Sequence, residues 1–170
     1  MIFRCSLAAC AFLVWLSPSF AQGPQGTTAT FDDWTVSCAT GVEGQNSCEM
    51  VQIQTAPGQP NPVAQITIRR PAKNESFKIF FQVPTNVWLQ PGMNFVLDSN
   101  STALVATFRW CVQTRCLADA DLNEENVKKL GARTDTGRAD YKDAGQHNVS
   151  LPVSFKGFKP ALDWMENSSR

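Results

Sequence analysis

The stretch Ser76–Val83, SFKIFFQV, sets Phe77, Ile79, Phe81 and Val83 on one side of the chain and Lys78 and Gln82 on the other. A repeat of two is what a half-buried β-strand demands, and a helix cannot hold that pattern on one face. The alternation recurs in FDDWTVSC (Phe31 to Cys38), CEMVQIQT (Cys48 to Thr55), VAQITIRR (Val63 to Arg70), NFVLD (Asn94 to Asp98) and ALVATFRWC (Ala103 to Cys111). Turn-rich connections such as APGQPNP and SNST separate these runs. Many short strands at regular spacing predict an all-β domain over residues 31–170, an antiparallel β-sandwich of jelly-roll-like type. Two short helices complete it. DLNEENVKKLG (Asp121 to Gly131) opens on a capping Asp121 with Glu124 three residues on, and closes with Lys128, Lys129 and a glycine. FKPALDWM spaces Phe158, Ala161, Leu162 and Met165 as one helical face, with Pro160 in its first turn.

The N-terminus sets the compartment. Arg4 precedes the apolar run SLAACAFLVWL, Pro18 ends it, and SFA supplies small residues for a cleavage site before Gln22. Residues 1–21 are therefore expected to be a secretory signal peptide, too short in its apolar run to span a bilayer. The LAAC box sits too early in the run for lipid attachment. Residues 22–30, rich in Gly, Pro and Thr, are expected to be a flexible leader, and the mature chain to have no transmembrane segment.

Cleavage removes Cys5 and Cys10 and leaves Cys38, Cys48, Cys111 and Cys116. An even cysteine count in an exported chain points to disulfides. Four cysteines allow several pairings; the short-range one, Cys38–Cys48 with Cys111–Cys116, closes the least chain. It also has a geometric basis, since Cys38 and Cys48 flank the polar loop TGVEGQNS of a predicted hairpin. A zinc site is a poor fit with one histidine, His147, and redox catalysis with more than two residues between Cys111 and Cys116. No cofactor is expected. The 15 basic and 15 acidic residues balance, which leaves no electrostatic footprint for nucleic acid.

Asp143, His147 and Ser150 or Ser154 match a hydrolase triad by residue type, but no GxSxG elbow accompanies them. Asp32–Asp33 reads as a solvated strand start rather than a calcium site. Trp34 and Trp110, beside the cysteine strands, read as core, and Trp88 as a possible stacking platform for carbohydrate.

Taken in order, FDDWTVSC, CEMVQIQ, FRWCVQTRC, ADADLNEENVKKLGA and VSLPVSFKGFKPALDWM resemble the invasion-associated locus B family of exported proteins in Gram-negative bacteria. The telling residues are Phe31, Asp33, Trp34 and Cys38, the Cys111/Cys116 pair, and Ser154, Gly157, Phe158, Ala161 and Leu162. Two departures are Arg115, where the family has glycine, and Phe155, where leucine is usual. The resemblance implies a small β-sandwich in the periplasm or at the outer membrane, linked in some members to host-cell invasion, with no known catalytic residues.

A non-enzymatic protein acting through its surface on an envelope or host component is the leading expectation. A carbohydrate-binding module, a hydrolase using His147 and an oxidoreductase using Cys111 and Cys116 are the alternatives. Loops carry contact more often than cores do. The candidate contact segments are TGVEGQNS and RTDTGRADYKDAGQ (Arg133 to Gln146), the latter through Arg138, Tyr141 and Lys142.

Overall fold

A computed structural model describes residues 26–41, 46–56, 58, 61–72, 74–98 and 103–169. The expected signal peptide lies outside them, as do residues 42–45 in the middle of the TGVEGQNS loop. The expected antiparallel all-β class with two short helices is what the chain forms. Its strands are β1 (Gly26–Phe31), β2 (Trp34–Thr40), β3 (Asn46–Thr55), β4 (Pro62–Arg69), β5 (Phe77–Val83), β6 (Met93–Val96), β7 (Ala103–Cys111), β8 (Cys116–Leu122), β9 (Thr136–Lys142) and β10 (Asn148–Ser154). The helices are α1 (Glu124–Gly131) and α2 (Phe158–Ser168).

The two layers are halves of one curled sheet with strand order β1-β2-β3-β4-β5-β8-β7-β6-β9-β10. β7 is the corner. Its first residues, Ala103 to Ala106, pair with β6, and Thr107 to Cys111 pair with β8. A strand that bends from one layer into the other is a standard way to turn such a corner. The concave side holds the core: Trp34, Val36, Met50, Ile66, Ile68, Ile79, Phe81 and Ala118, with Phe95 and Val153 from the other half. These are the alternating positions of the sequence, and burying each large apolar side chain is worth about 1.5–3 kcal/mol. Phe81 meets Phe95 at 5.4 Å between ring centroids, and Phe95 meets Phe155 at 6.3 Å, so aromatic rings bridge the halves.

Three details depart from the sequence expectations. β1 begins at Gly26, so Gly26–Thr30, expected in the leader, form an edge strand instead. The β-branched threonines of GTTATF suit a strand, and pairing with β2 runs unbroken from Gly26–Ala39 to Phe31–Trp34. The cap of α1 is Asn123, whose Oδ1 accepts from Asn126 N at 2.8 Å, because Asp121 is held in β8 opposite Lys78. The segment Arg133 to Gln146 is not a loop but contains β9, paired with both β6 and β10. Its apolar alternation is weak because two of its three inward residues, Gly137 and Ala139, are small. A Cβ on Gly137 would meet the Phe155 ring at 2.7 Å, so aromatic bulk arrives from elsewhere.

Candidate functional site

The motif segments at the two ends of the domain interlock. Trp34 Nε1 donates to the Ser154 carbonyl at 2.9 Å, and its indole packs edge-on against Phe158 at 5.3 Å. The side-chain amide of Gln52 stands in for a missing strand: its Nε2 donates to Ser154 O at 2.9 Å while Ser154 N donates to its Oε1 at 3.0 Å. Ser154 Oγ donates to Asp33 Oδ2 at 2.5 Å. Gly157, with φ of +75°, lets the backbone pass the β1–β2 turn; a Cβ there would lie 2.0 Å from Phe31 O. Only glycine fits both demands. The residues that carry the family resemblance at the chain's ends therefore close the curled sheet. They are a clasp, and among the described residues no buried side-chain nitrogen or oxygen lacks a hydrogen-bond partner.

The serines of the triad candidates bond to other residues. Ser154 Oγ is given to Asp33, and Ser150 Oγ donates to Asp140 Oδ1 at 2.7 Å. His147 lies close to Asp143, Nδ1 to Oδ2 3.1 Å, but this pair ties the β9–β10 turn, where His147 N also donates to Asp143 Oδ1 at 2.9 Å. The backbone donation from His147 is the main reason the Asp143 carboxyl titrates below its ordinary range. Both serine hydroxyls thus bond to carboxylates and not to the imidazole. Asp32, read with Asp33 as a solvated strand start, occupies the β1–β2 turn with φ of +47°.

Cys38–Cys48 and Cys111–Cys116 are both bonded, each joining directly opposed residues of a hairpin. Arg115 turns without a left-handed backbone, since the non-glycine residues with positive φ among those described are Asp32 and Gln146. Its guanidinium donates to Gln82 Oε1 at 2.7 Å.

Arg138, Tyr141 and Lys142 do not form one patch. Alternation along β9 places Arg138 and Lys142 on the outer side and Tyr141 with buried Ala139 on the inner, where it packs against the core. Burial raises the Tyr141 hydroxyl above its usual pKa, with the Asp143 charge adding to the effect. Arg138 Nε is paired with Asp140 Oδ2 at 2.7 Å.

The convex face of the larger layer carries what the sequence reading missed. Across five strands, Ile53, Gln65, Gln82, Leu117 and Trp110 stand in register on the outer side. Ile53 is 55% exposed and Trp110 50%. The parallel row Val51, Thr67, Phe80, Asp119 and Thr107 lies beside it, with Arg69 over the Phe80 ring at 4.9 Å. Asp119 is nearly buried under Lys78 and Arg109, which both pair with it. Trp110, next to the cysteine strands, was expected in the core. The register shifts between Phe108 and Trp110, so Arg109 is an extra residue and Trp110 is thrown to the outside. Trp88 is also exposed, at 44%, next to Leu89 at 56%, on a loop held by Trp88 N donating to Lys142 O at 2.8 Å.

A cleft of about 720 Å³ opens between α1, α2 and the β4–β5 turn, floored by Phe77, Leu122 and Leu162. Its rim charges are largely self-paired, Arg70 with Glu166 at 3.2 Å and Lys159 with Asp163 at 2.5 Å. Among the described residues no group of three or more potential metal ligands gathers, and no helix is long and apolar enough to cross a membrane.

Comparison with known proteins agrees with this architecture. The model of the Invasion associated locus B (IalB) protein family matches residues 34–166, from the buried Trp34 of the clasp to the last turns of α2. The chain belongs to the invasion associated locus B family. Two invasion protein B homologs of Brucella abortus, one from strain 2308 and one from biovar 1 strain 9-941, are each 26% identical over 151 residues, covering 87% of this chain and 86% of theirs. The crystal structure of invasion associated protein b from Bartonella henselae superposes with a TM-score of 0.71 at 20% identity, over 82% of this chain and 94% of that one. That likeness is one of fold. Trp34, Gln52, Ser154 and Gly157 of the clasp all fall within the residues that the locus B family model matches.

Proposed function

We propose that this locus B protein is exported through a signal peptide, residues 1–21, and works in the periplasm or at the outer membrane as a non-enzymatic contact protein. Its contacts assist adhesion to, or invasion of, host cells. Family membership and the invasion-associated names of its relatives support this, and two disulfides suit an oxidising compartment. The observation that carries the contact reading is the outer row ending in Ile53 and Trp110, apolar side chains left in water on a rigid sheet. The two stand at opposite ends of the row with Gln65, Gln82 and Leu117 between them, so the proposed contact spans the row rather than one apolar patch. Arg138 and Lys142 are the weaker candidate, because Asp140 already neutralises Arg138.

A deletion strain complemented with Ile53→Thr/Trp110→Thr tests this against one complemented with Arg138→Ala/Lys142→Ala. The first is expected to lose adhesion or invasion while folding normally, and the second to retain it. Full activity of the first removes the outer row, and recovery of the protein in the cytoplasm removes the export reading. A second reading, carbohydrate stacking on Trp88, is favoured by that ring's exposure next to Leu89. Glycan binding that Trp88→Ala abolishes would establish it.

A further inference from the structure

The curled sheet has two free edges, and they are treated differently. β10 carries Pro152 in mid-strand, which has no N–H to offer, and its last residue is occupied by Gln52 and Trp34. Pro on an edge and side chains docked on it are ordinary guards against unwanted strand pairing. β1 has neither guard. It is six residues long, GTTATF, with no charge, no proline and no register break against β2. α2 reaches it only from the inner side, where Trp164 lies 6.3 Å from Phe31 between ring centroids. In an antiparallel ladder alternate residues turn their N–H and C=O away from the neighbour, so β1 presents a row of peptide groups that nothing among the described residues pairs.

We propose that β1 docks on β1 of a second copy of this chain, antiparallel about a twofold axis near Thr28, and joins the two sheets edge to edge. An axis perpendicular to the sheet keeps outer faces together, so Thr28 opposes Thr28 of the second copy and Gly26 opposes Thr30. Opposed threonines are a favourable cross-strand pair, whereas like charges there would repel. The outer strip bordering the edge, Thr28 and Thr30 beside Ser37 and Thr35, is likewise uncharged and bears hydroxyls. Self-pairing therefore brings no charge against its like, which is what distinguishes a second copy from a charged peptide as the occupant. A single six-residue edge is small beside the ~1,200–2,000 Å² of standard interfaces, so the dimer is reversible and grows with concentration. This inference stands apart from the outer-row reading, whose residues lie further across the sheet.

Sedimentation velocity on the purified chain, with its disulfides intact, tests it. Wild type is expected to shift from monomer to dimer as concentration rises. Thr28→Lys and Thr28→Glu, both at an exposed position, are each expected to stay monomeric with unchanged circular dichroism, and their equimolar mixture to regain the dimer. Wild type that is monomeric up to its solubility limit overturns the proposal. So does a Thr28→Lys dimer as strong as wild type, or a mixture that stays monomeric.

Discussion

Trp34 is fully buried against Phe158 and hydrogen-bonded to Ser154, whereas Trp110 stands half exposed opposite Leu117 on the other side of the same sheet. Each lies close to a cysteine hairpin, and composition alone would treat them alike. The difference lies in what surrounds them. Trp34 belongs to a clasp that joins the first turn of the domain to its last strand, and its removal opens the closure of the sheet. Trp110 joins an outer row that takes no part in the core. The first region holds the fold together, and the second is free to meet something else.

Substitutions that attack the clasp should cost most. Gly157→Ala forces a Cβ into the Phe31 carbonyl on a left-handed backbone. It is expected to destabilise by about 4 kcal/mol or more, read from urea unfolding, or to prevent folding. Trp34→Ala leaves a large cavity and takes away one of the two donors to the Ser154 carbonyl, Gln52 Nε2 being the other, with an expected loss of about 3–5 kcal/mol. Removing Cys38–Cys48 should cost about 3 kcal/mol and removing Cys111–Cys116 about 2 kcal/mol, since the first closes the longer loop. Thermal melts of the paired Cys→Ala variants give the order, and a reversed order would point to strain or packing rather than loop closure. On the outer row, Ile53→Thr and Trp110→Ser should each stay within about 0.5 kcal/mol of wild type.

The smallest expected effect is one of pH. The Arg133 guanidinium holds the Asp135 carboxyl below its usual value of 3.8. A depressed folded pKa means the unfolded chain binds the proton first as pH falls. The stabilisation is therefore complete above the unfolded pKa and disappears as pH drops through the folded one. Asp135→Asn should lower stability slightly at neutral pH, where the charge pair is intact, and converge with wild type at the acid end, so that its acid limb is flatter. An acid limb that steepens instead would contradict the assigned cause.

Much of the fold was legible in the sequence because the inner positions of β2 to β5 are large and apolar at a period of two. β9 escaped because Gly137 and Ala139 make its inner face small, leaving Phe155 to fill the space. β1 escaped because it is held by backbone pairing with little side-chain burial, which hydrophobic patterning does not register. Trp110 was misplaced by a single extra residue, Arg109, which inverts the alternation after Phe108. The clasp residues stood out as motifs, but their purpose depends on contacts such as Trp34 to Ser154, separated by 120 positions. No local pattern encodes such a meeting.

Hydrogen exchange at the two indole N–H groups, followed in one set of heteronuclear NMR spectra, tests the contrast most directly. The Trp34 indole, donating to Ser154 inside the clasp, is expected to exchange only through global unfolding, with the same free energy as urea denaturation. The Trp110 indole is expected to exchange within the dead time, as an unprotected group does. Trp34 exchanging as fast as Trp110, well below the global stability, would contradict the claim that the two ends of the chain lock the sheet closed.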